Sequence, residues 1–80
     1  MPTPLSQVPL LQPVVLQAVG GDRSVRRRLM ELGLVPGITL CVRKVAPMGD
    51  PLELGVRGGS LSIRRHEAEQ LLVELAGGRS

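Results

Sequence analysis

The clearest pattern in the sequence is an alternation of apolar and polar residues in three short runs, at 38–43, 52–57 and 60–64. A period of two is typical of β-strands that bury one face. Residues 47–51 hold two prolines and a glycine and interrupt the first connection, and Gly58-Gly59 predicts a tight hairpin turn in the second. The pattern therefore predicts a three-stranded antiparallel meander.

A helix is predicted before this meander. Asp22 and Ser24 are both candidate N-cap residues, and Gly33 is a C-cap signal. The apolar residues between them follow the i, i+4, i+7 spacing of one helix face: Val25, Leu29 and Leu32. We expect about three turns with one buried stripe and a basic flank. The dipeptide Pro36-Gly37 just beyond predicts a type II turn.

Two further strands complete the predicted fold. The nearly all-aliphatic residues 14–19 suit a strand covered on both faces. Residues 65–71 favour one or two helical turns with Ala68 and Leu71 inward, before a last strand at 72–75. In so small a chain, five short strands most economically close into a barrel that hides its edges. The prediction is a mainly β fold with one α-helix and a short second helix around a small five-stranded β-barrel.

The two ends of the chain carry weaker patterns. The proline-containing lead, 1–12, is expected to be irregular or briefly helical and to pack Leu5, Val8 and Leu10 against the rest. The tail, 76–80, is expected to fray. At 80 residues the whole chain is predicted to be one domain.

The composition limits which residues can form the core and which functions the protein can have. The sequence has no Phe, Tyr or Trp, so we expect a core of Leu, Val, Ile, Ala and Met. Without aromatic rings, the surfaces that stack single-stranded bases or hold proline-rich peptides are excluded. The formal net charge of +3 permits an acidic partner. No signal peptide or membrane span is expected, and we predict a cytoplasmic protein with its one cysteine reduced.

Candidate catalytic and metal-binding residues are few. A dedicated ferrous site needs several His and carboxylate ligands, whereas the chain has only His66 and Cys41 beside its carboxylates. His66 and Glu69, one helical turn apart, supply at most half of an incidental surface zinc site for adventitious divalent metal. Ser60 and Ser62 have no base at a recognisable spacing. We therefore expect no enzyme, no dedicated metal site and no cofactor.

The densest charge is the run of three arginines at 26–28. One interpretation is contact with an acidic patch on a partner. The other is a solvated helix face on which Arg27 and Glu31, at i and i+4, partly cancel. Nucleic acid is disfavoured, because no aromatic residue lies among the arginines and no base-reading motif accompanies them. Met30 suits an exposed apolar contact with another protein and equally suits packing in the barrel.

Four segments closely resemble the FeoA family of bacterial ferrous iron transport accessory proteins. They read RLMELGLVPG at 28–37, APMGDP at 46–51, GGSLSIR at 58–64 and Glu67-Ala68. The resemblance implies an SH3-like β-barrel without enzymatic activity. It also implies a cytoplasmic role, recruited to the inner face of the membrane beside FeoB, the transporter that imports ferrous iron and carries a GTP-hydrolysing domain. The alternative is a regulatory module like the C-terminal domain of DtxR-type repressors, which the lack of a preceding DNA-binding helix pair disfavours.

Charge and position place the predicted partner-binding surface on the basic helix and the turn that follows it. The predicted contact residues are Arg26, Arg27, Met30, Leu34, Pro36 and Gly37. The residues expected to form structural turns are Gly33, Gly37, Gly49, Pro51, Gly58 and Gly59. Uncovered apolar patches on so small a barrel predict a monomer or a weak homodimer.

Overall fold

The computed structural model describes residues 2–76. Within this range the chain forms six strands, two α-helices and one 3₁₀ helix. In chain order they are β1 (Thr3–Pro4), the 3₁₀ helix (Leu5–Gln7), β2 (Val14–Val19), α1 (Arg23–Glu31), β3 (Thr39–Val45), β4 (Leu52–Val56), β5 (Gly59–Ile63), α2 (Arg65–Ala68) and β6 (Leu71–Leu75). The predicted order of elements is confirmed, with one added strand at the start. The predicted fraying of 76–80 falls mostly outside the described residues.

All six strands belong to one antiparallel sheet in the order β1-β6-β2-β3-β4-β5. The predicted meander of β3, β4 and β5 is confirmed. Register shifts between Leu16 and Ala18 in β2 and between Val42 and Lys44 in β3 mark irregularities of the bulge type, which bend a strand and increase its twist. The sheet thus wraps around its core, although within residues 2–76 the hydrogen-bonded ladder stays open between β1 and β5.

The sixth strand lies in the N-terminal lead. Thr3 pairs with Val73, and Pro4 pairs with Leu72. Two residues are too short for an alternating pattern, so this strand has no signature in the sequence. The brief helical segment expected in the lead is confirmed by the 3₁₀ helix. Leu5 is fully buried, as predicted, and Val8 packs partly, whereas Leu10 is exposed at a turn and the expectation that it packs was wrong.

The core is aliphatic, as the lack of aromatic residues requires. Its buried apolar side chains are Leu5, Val14, Leu16, Leu29, Leu34, Leu40, Val42, Leu52, Leu54, Ile63, Ala68, Leu71 and Val73. Methionine was also expected in the core, but both methionines within residues 2–76, Met30 and Met48, are exposed. In β2 only one face is covered, because Val14 and Leu16 are buried, whereas Val15 on the other face is half-buried and Gln17 is exposed. The sheet has a single core, so the prediction of two covered faces was wrong.

The C-terminal end of α1 corrects the predicted helix stripe. Leu29 is buried, but Leu32 keeps 39% of its surface exposed and Leu34 is at 0%. Gly33, at φ +97°, adopts the left-handed conformation that ends many helices. The chain turns there, and the Leu34 N–H donates to the Leu29 carbonyl at 3.1 Å. This reversal brings Leu34 into the position in the core that a continued helix would have given to Leu32.

The β4–β5 hairpin is shifted by one residue from the prediction. Val56 pairs with Gly59, so the two-residue turn is Arg57-Gly58. Gly58 has φ +84°, whereas Gly59 has no positive φ and opens β5. Of the two adjacent glycines, only Gly58 therefore meets the backbone requirement of a turn glycine.

Candidate partner-binding surface

The start of α1 is fixed by Asp22. Its Oδ1 accepts the Val25 N–H at 3.0 Å and the Ser24 hydroxyl at 3.0 Å. These two hydrogen bonds, that from Val25 foremost, hold the pKa of the Asp22 carboxyl below its ordinary value. Of the two candidate N-cap residues, Asp22 is therefore the N-cap. Ser24 lies in the first turn and donates its hydroxyl hydrogen bond to the Asp22 carboxylate.

The exposed face of α1 is basic at its beginning and apolar at its end. Arg23, Arg26 and Arg27 line a shallow groove together with Met30, the acidic Glu31 and Val35, which follows the helix. No acidic residue lies in the first turn of α1. Positive charge near a helix N-terminus opposes the helix dipole. Apart from the Asp22 N-cap, nothing in the first turn offsets the charge of the early arginines, and their contact with a partner stays a prediction.

The arginines at 26–28 have three different surroundings. The predicted pair of Arg27 and Glu31 is confirmed at 3.7 Å from Nε to Oε2, with both side chains more than 70% exposed. Such exposed pairs contribute little to stability. Arg28 instead places its Nε 3.1 Å from the Glu67 Oε2 of α2. Within residues 2–76, Arg26 forms no ion pair, so its charge is the one most available to a partner.

Glu67 was missed as a structural residue. It is buried to 4% exposure, and its Oε1 accepts the Arg64 N–H at 2.8 Å. The Glu67 N–H in turn donates to the Arg64 carbonyl at 3.0 Å. A glutamate three residues after the N-cap supplies half of a capping box, but the N-cap is Arg64 and not a Ser, Thr, Asp or Asn, so the signal in the sequence was incomplete. Through Glu67, α2 also anchors Arg28 and thereby the middle of α1.

The turn after α1 continues the surface. The Ile38 N–H donates to the Val35 carbonyl at 3.3 Å, and Gly37 has φ +102°, which confirms the type II turn. Pro36 and Gly37 are exposed, as a contact surface requires. Leu34 is not exposed, so its assignment to the contact surface was wrong. The exposed Leu32 takes its place beside this turn.

A second groove lies between this turn and the β4–β5 hairpin. Leu32, Gly37 and Ile38 line one side of it, and Val56 and Arg57 line the other. The groove is open to solvent and carries one guanidinium beside its apolar walls. The two grooves lie on neighbouring residues of the chain, and we call them together the α1 surface. Its residues are Arg23, Arg26, Arg27, Met30, Glu31, Leu32, Val35, Pro36, Gly37, Ile38, Val56 and Arg57.

The remaining predicted turn residues, Gly49 and Pro51, lie in the loop between β3 and β4. Gly49, at φ +85°, donates its N–H to the Ala46 carbonyl at 2.7 Å, and a cis peptide bond joins Asp50 to Pro51. The Asp50 Oδ1 accepts the Arg65 N–H at 3.0 Å. This loop is therefore tied to the start of α2, and Gly49 and Pro51 have the structural role predicted for them.

A family model described as the FeoA domain matches residues 3–75. The chain belongs to the FeoA family. A FeoA protein from Chlorobium tepidum is 40% identical, with a TM-score of 0.87, over 98% of this chain and 74% of that chain. A zinc complex of Stenotrophomonas maltophilia FeoA is 31% identical, with a TM-score of 0.75, over 92% of this chain and 89% of that one. The latter is described as a prokaryotic SH3 domain protein, and the fold of the present chain is likewise SH3-like.

A longer relative links the FeoA family to a transporter. In Porphyromonas gingivalis, a fusion protein of Fe(2+) transport protein A and the Fe(2+) transporter FeoB is 34% identical over 71 residues, which is 89% of this chain. The chain corresponds to 8% of the length of that fusion protein. The manganese regulator SloR is 18% identical, with a TM-score of 0.78, over 91% of this chain and 34% of that chain. This last likeness shows a shared fold alone.

Potential metal ligands are scattered over this FeoA-family chain. His66 and Glu69 are both exposed at α2, and Cys41 is half-buried on β3. Within residues 2–76 no group of three or more His, Cys, Asp or Glu residues lies close enough to hold a metal ion. An incidental zinc site at His66 and Glu69 therefore stays a prediction that needs ligands from a second molecule. In the same range, no helix is long and apolar enough to cross a membrane.

Proposed function

We propose that this protein is a non-enzymatic accessory or regulatory protein of ferrous iron uptake that binds the cytoplasmic side of a FeoB transporter, including its GTPase domain. The observation that carries the proposal is the Porphyromonas gingivalis relative, which joins a segment similar to this chain to a FeoB transporter. Fusion raises the effective concentration of one module at the other. Such an arrangement favours a function that depends on contact between the two.

The α1 surface supplies the chemistry that such a contact needs. Met30, Leu32 and Val35 are exposed apolar side chains at the end of α1, and the guanidinium groups of Arg26 and Arg27 lie on the same helix. Protein interfaces commonly combine an apolar centre with a charged rim. The basic rim selects a partner with an acidic patch and accelerates their association. Cofactors have no place in this function, and a monomer or weak homodimer recruited from the cytoplasm to the membrane suffices for it.

Binding to the purified cytoplasmic domain of the cognate FeoB, with and without a GTP analogue, tests the proposal. We compare wild type with Arg26→Glu/Arg27→Glu and with Met30→Asp, using Lys44→Glu on the exposed part of β3 as the control for a charge change elsewhere. Loss of one or two good contacts weakens binding by about tenfold or more. We expect saturable binding that both α1 variants lose and the control keeps.

The contrary result is equally clear. If wild type fails to bind the cytoplasmic domain in every nucleotide state, and also fails to bind full-length FeoB in membranes, the proposed function is wrong. If it binds and the two α1 variants bind equally well, the function stands and the α1 surface is not the contact.

A further inference from the structure

Among the strands of residues 2–76, β5 forms one edge of the sheet and pairs only with β4. Antiparallel strands alternate between hydrogen-bonded and non-hydrogen-bonded pairs. Val56 and Gly59 close the two-residue turn and are a hydrogen-bonded pair in that geometry. The pairs formed by Ser60 and Ser62 are then non-hydrogen-bonded, so the N–H and C=O groups of both serines point away from β4.

The outward groups of β5 are open to a partner. Arg64, the next residue in the outward series, has its N–H accepted by the Glu67 carboxylate at 2.8 Å. Within residues 2–76, the outward groups of Ser60 and Ser62 have no such acceptor or donor. Both serines are exposed, in line with an uncovered edge.

This edge also lacks the features that normally keep a strand from pairing. Residues 59–63 contain no proline and no charge, and the β4–β5 register runs without a bulge. Edge strands in soluble proteins are usually short, charged, bulged or covered. The opposite edge follows that rule, since β1 has only two residues, one of which is Pro4.

We propose that β5 accepts an extended, acidic segment of the partner protein as an additional strand of the sheet. Backbone hydrogen bonds from Ser60 and Ser62 supply the pairing. At a strand rise of about 3.3 Å per residue, five paired residues span about 17 Å, so the ends of the added segment come close to the exposed Arg57 and Arg64. A carboxylate at one end complements the Arg57 guanidinium, and a carboxylate at the other end shares the Arg64 guanidinium with Asp50, whose Oδ2 lies 3.9 Å from the Arg64 Nη1. The inference rests on the proposed function, because the FeoB transporter supplies the segment.

Charge disfavours a second copy of this chain as the occupant. Antiparallel pairing of two β5 strands about Leu61 places Ser60 opposite Ser62, and it brings the exposed Arg57 beyond one end of β5 close to Arg64 beyond the other end of the second copy. The symmetric pair thus brings like charges close together at both of its ends, where they repel each other. The same arginines favour an acidic strand.

The position of β5 fits the α1 surface. Arg57 lines one side of the second groove, and Leu32 and Ile38 line the other side. Strand β5 begins two residues after Arg57. A partner that contacts the end of α1 therefore reaches the start of β5 through this groove. One continuous interface then includes a helix face and a sheet edge.

Amide hydrogen exchange, combined with one pair of variants, tests the inference on the same FeoB cytoplasmic domain. In the free protein the Ser60 and Ser62 amides should exchange rapidly, and in the complex they should be protected about tenfold or more, as a net hydrogen bond predicts. Ser62→Pro removes the outward N–H without removing a bond to β4, which an edge strand tolerates. We expect it to bind about tenfold more weakly, whereas Ser62→Thr keeps the N–H and binds like wild type.

The possible outcomes distinguish failure of the β5 inference from failure of the proposed function. If wild type binds, the two amides stay unprotected and the Pro and Thr variants bind alike, the β5 inference is overturned and the proposed function survives. If wild type binds neither this domain nor full-length FeoB in membranes, the proposed function and the β5 inference that rests on it are both wrong. Protection of the same amides in the protein alone, rising with its concentration, identifies a second copy as the occupant and overturns the acidic partner segment. If Ser62→Pro does not fold, the wild-type exchange data and an Arg57→Glu variant decide.

Discussion

Three variants should separate the two roles of the Glu67 side chain, which are to cap α2 and to form an ion pair with Arg28. Glu67 accepts the Arg64 N–H at the start of α2 and pairs with Arg28 of α1. Glu67→Ala removes both interactions and leaves a small cavity where the side chain lay buried. Glu67→Gln keeps a carbonyl oxygen for the Arg64 N–H and removes only the charge. Arg28→Ala leaves the cap in place and removes only the ion pair.

The structure gives the expected order of these three variants. A buried hydrogen bond to a charged group contributes about 1.5–3 kcal/mol. The Arg28 side chain is 51% exposed, so it can return to water, and the pair itself contributes at most about 1 kcal/mol. Glu67→Ala should therefore cost about 2–3 kcal/mol, and Glu67→Gln and Arg28→Ala about 1 kcal/mol each. For a domain of this size, the alanine variant should melt about 10–20 °C lower.

Urea unfolding followed by far-ultraviolet circular dichroism measures these differences. The chain has no Trp or Tyr, so intrinsic fluorescence cannot report the transition. Urea is preferred to guanidinium chloride because salt screens the ion pair. If Glu67→Ala lies within about 0.5 kcal/mol of wild type, a range ordinary for surface changes, the reasoning about the buried cap is wrong. If Arg28→Ala costs as much as Glu67→Ala, the ion pair and not the cap stabilises this junction.

Three further predictions test the fold and the start of α1. Leu34→Ala should cost about 3 kcal/mol in the same urea assay, whereas Leu32→Ala should cost under about 1 kcal/mol, because only Leu34 fills the core; equal costs would contradict the corrected helix end. Gly58→Ala should cost about 1–2 kcal/mol for its left-handed backbone, while Gly59→Ala stays within about 0.5 kcal/mol, because nothing lies within 4 Å of an added Cβ at either position. Because hydrogen bonds lower the folded-state pKa of Asp22, its contribution is present above the unfolded pKa of about 4 and is lost as pH falls through the folded pKa. The difference in melting temperature between wild type and Asp22→Ala should therefore decrease as the pH falls from about 5 to about 2. A difference that stays constant over this range would show that the carboxylate charge has no part in the cap.

Most of the fold could be predicted because its signals are local. The alternation at β3, β4 and β5 and the caps of α1 each depend on neighbours within a few residues. The misses differ in character. The burial of Leu34 follows from the reversal at the neighbouring Gly33, a local C-cap signal that was read only as the end of the helix. The pairing of Thr3–Pro4, by contrast, depends on β6 at the other end of the chain. The contact of Arg28 with Glu67 likewise joins two helices that are far apart in sequence, and no periodicity reports such a pair.

Helix geometry explains why the three arginines at 26–28 have different surroundings. Successive residues of an α-helix point about 100° apart, so three consecutive arginines cannot share one surface. Arg28 turns toward α2 and stabilises the junction with Glu67, and Arg27 lies along the helix toward Glu31. Arg26 keeps its charge free of both. In the test of partner binding, Arg26→Glu alone should therefore weaken binding at least as much as Arg27→Glu alone, because the exposed pair with Glu31 offsets only a small part of the Arg27 charge.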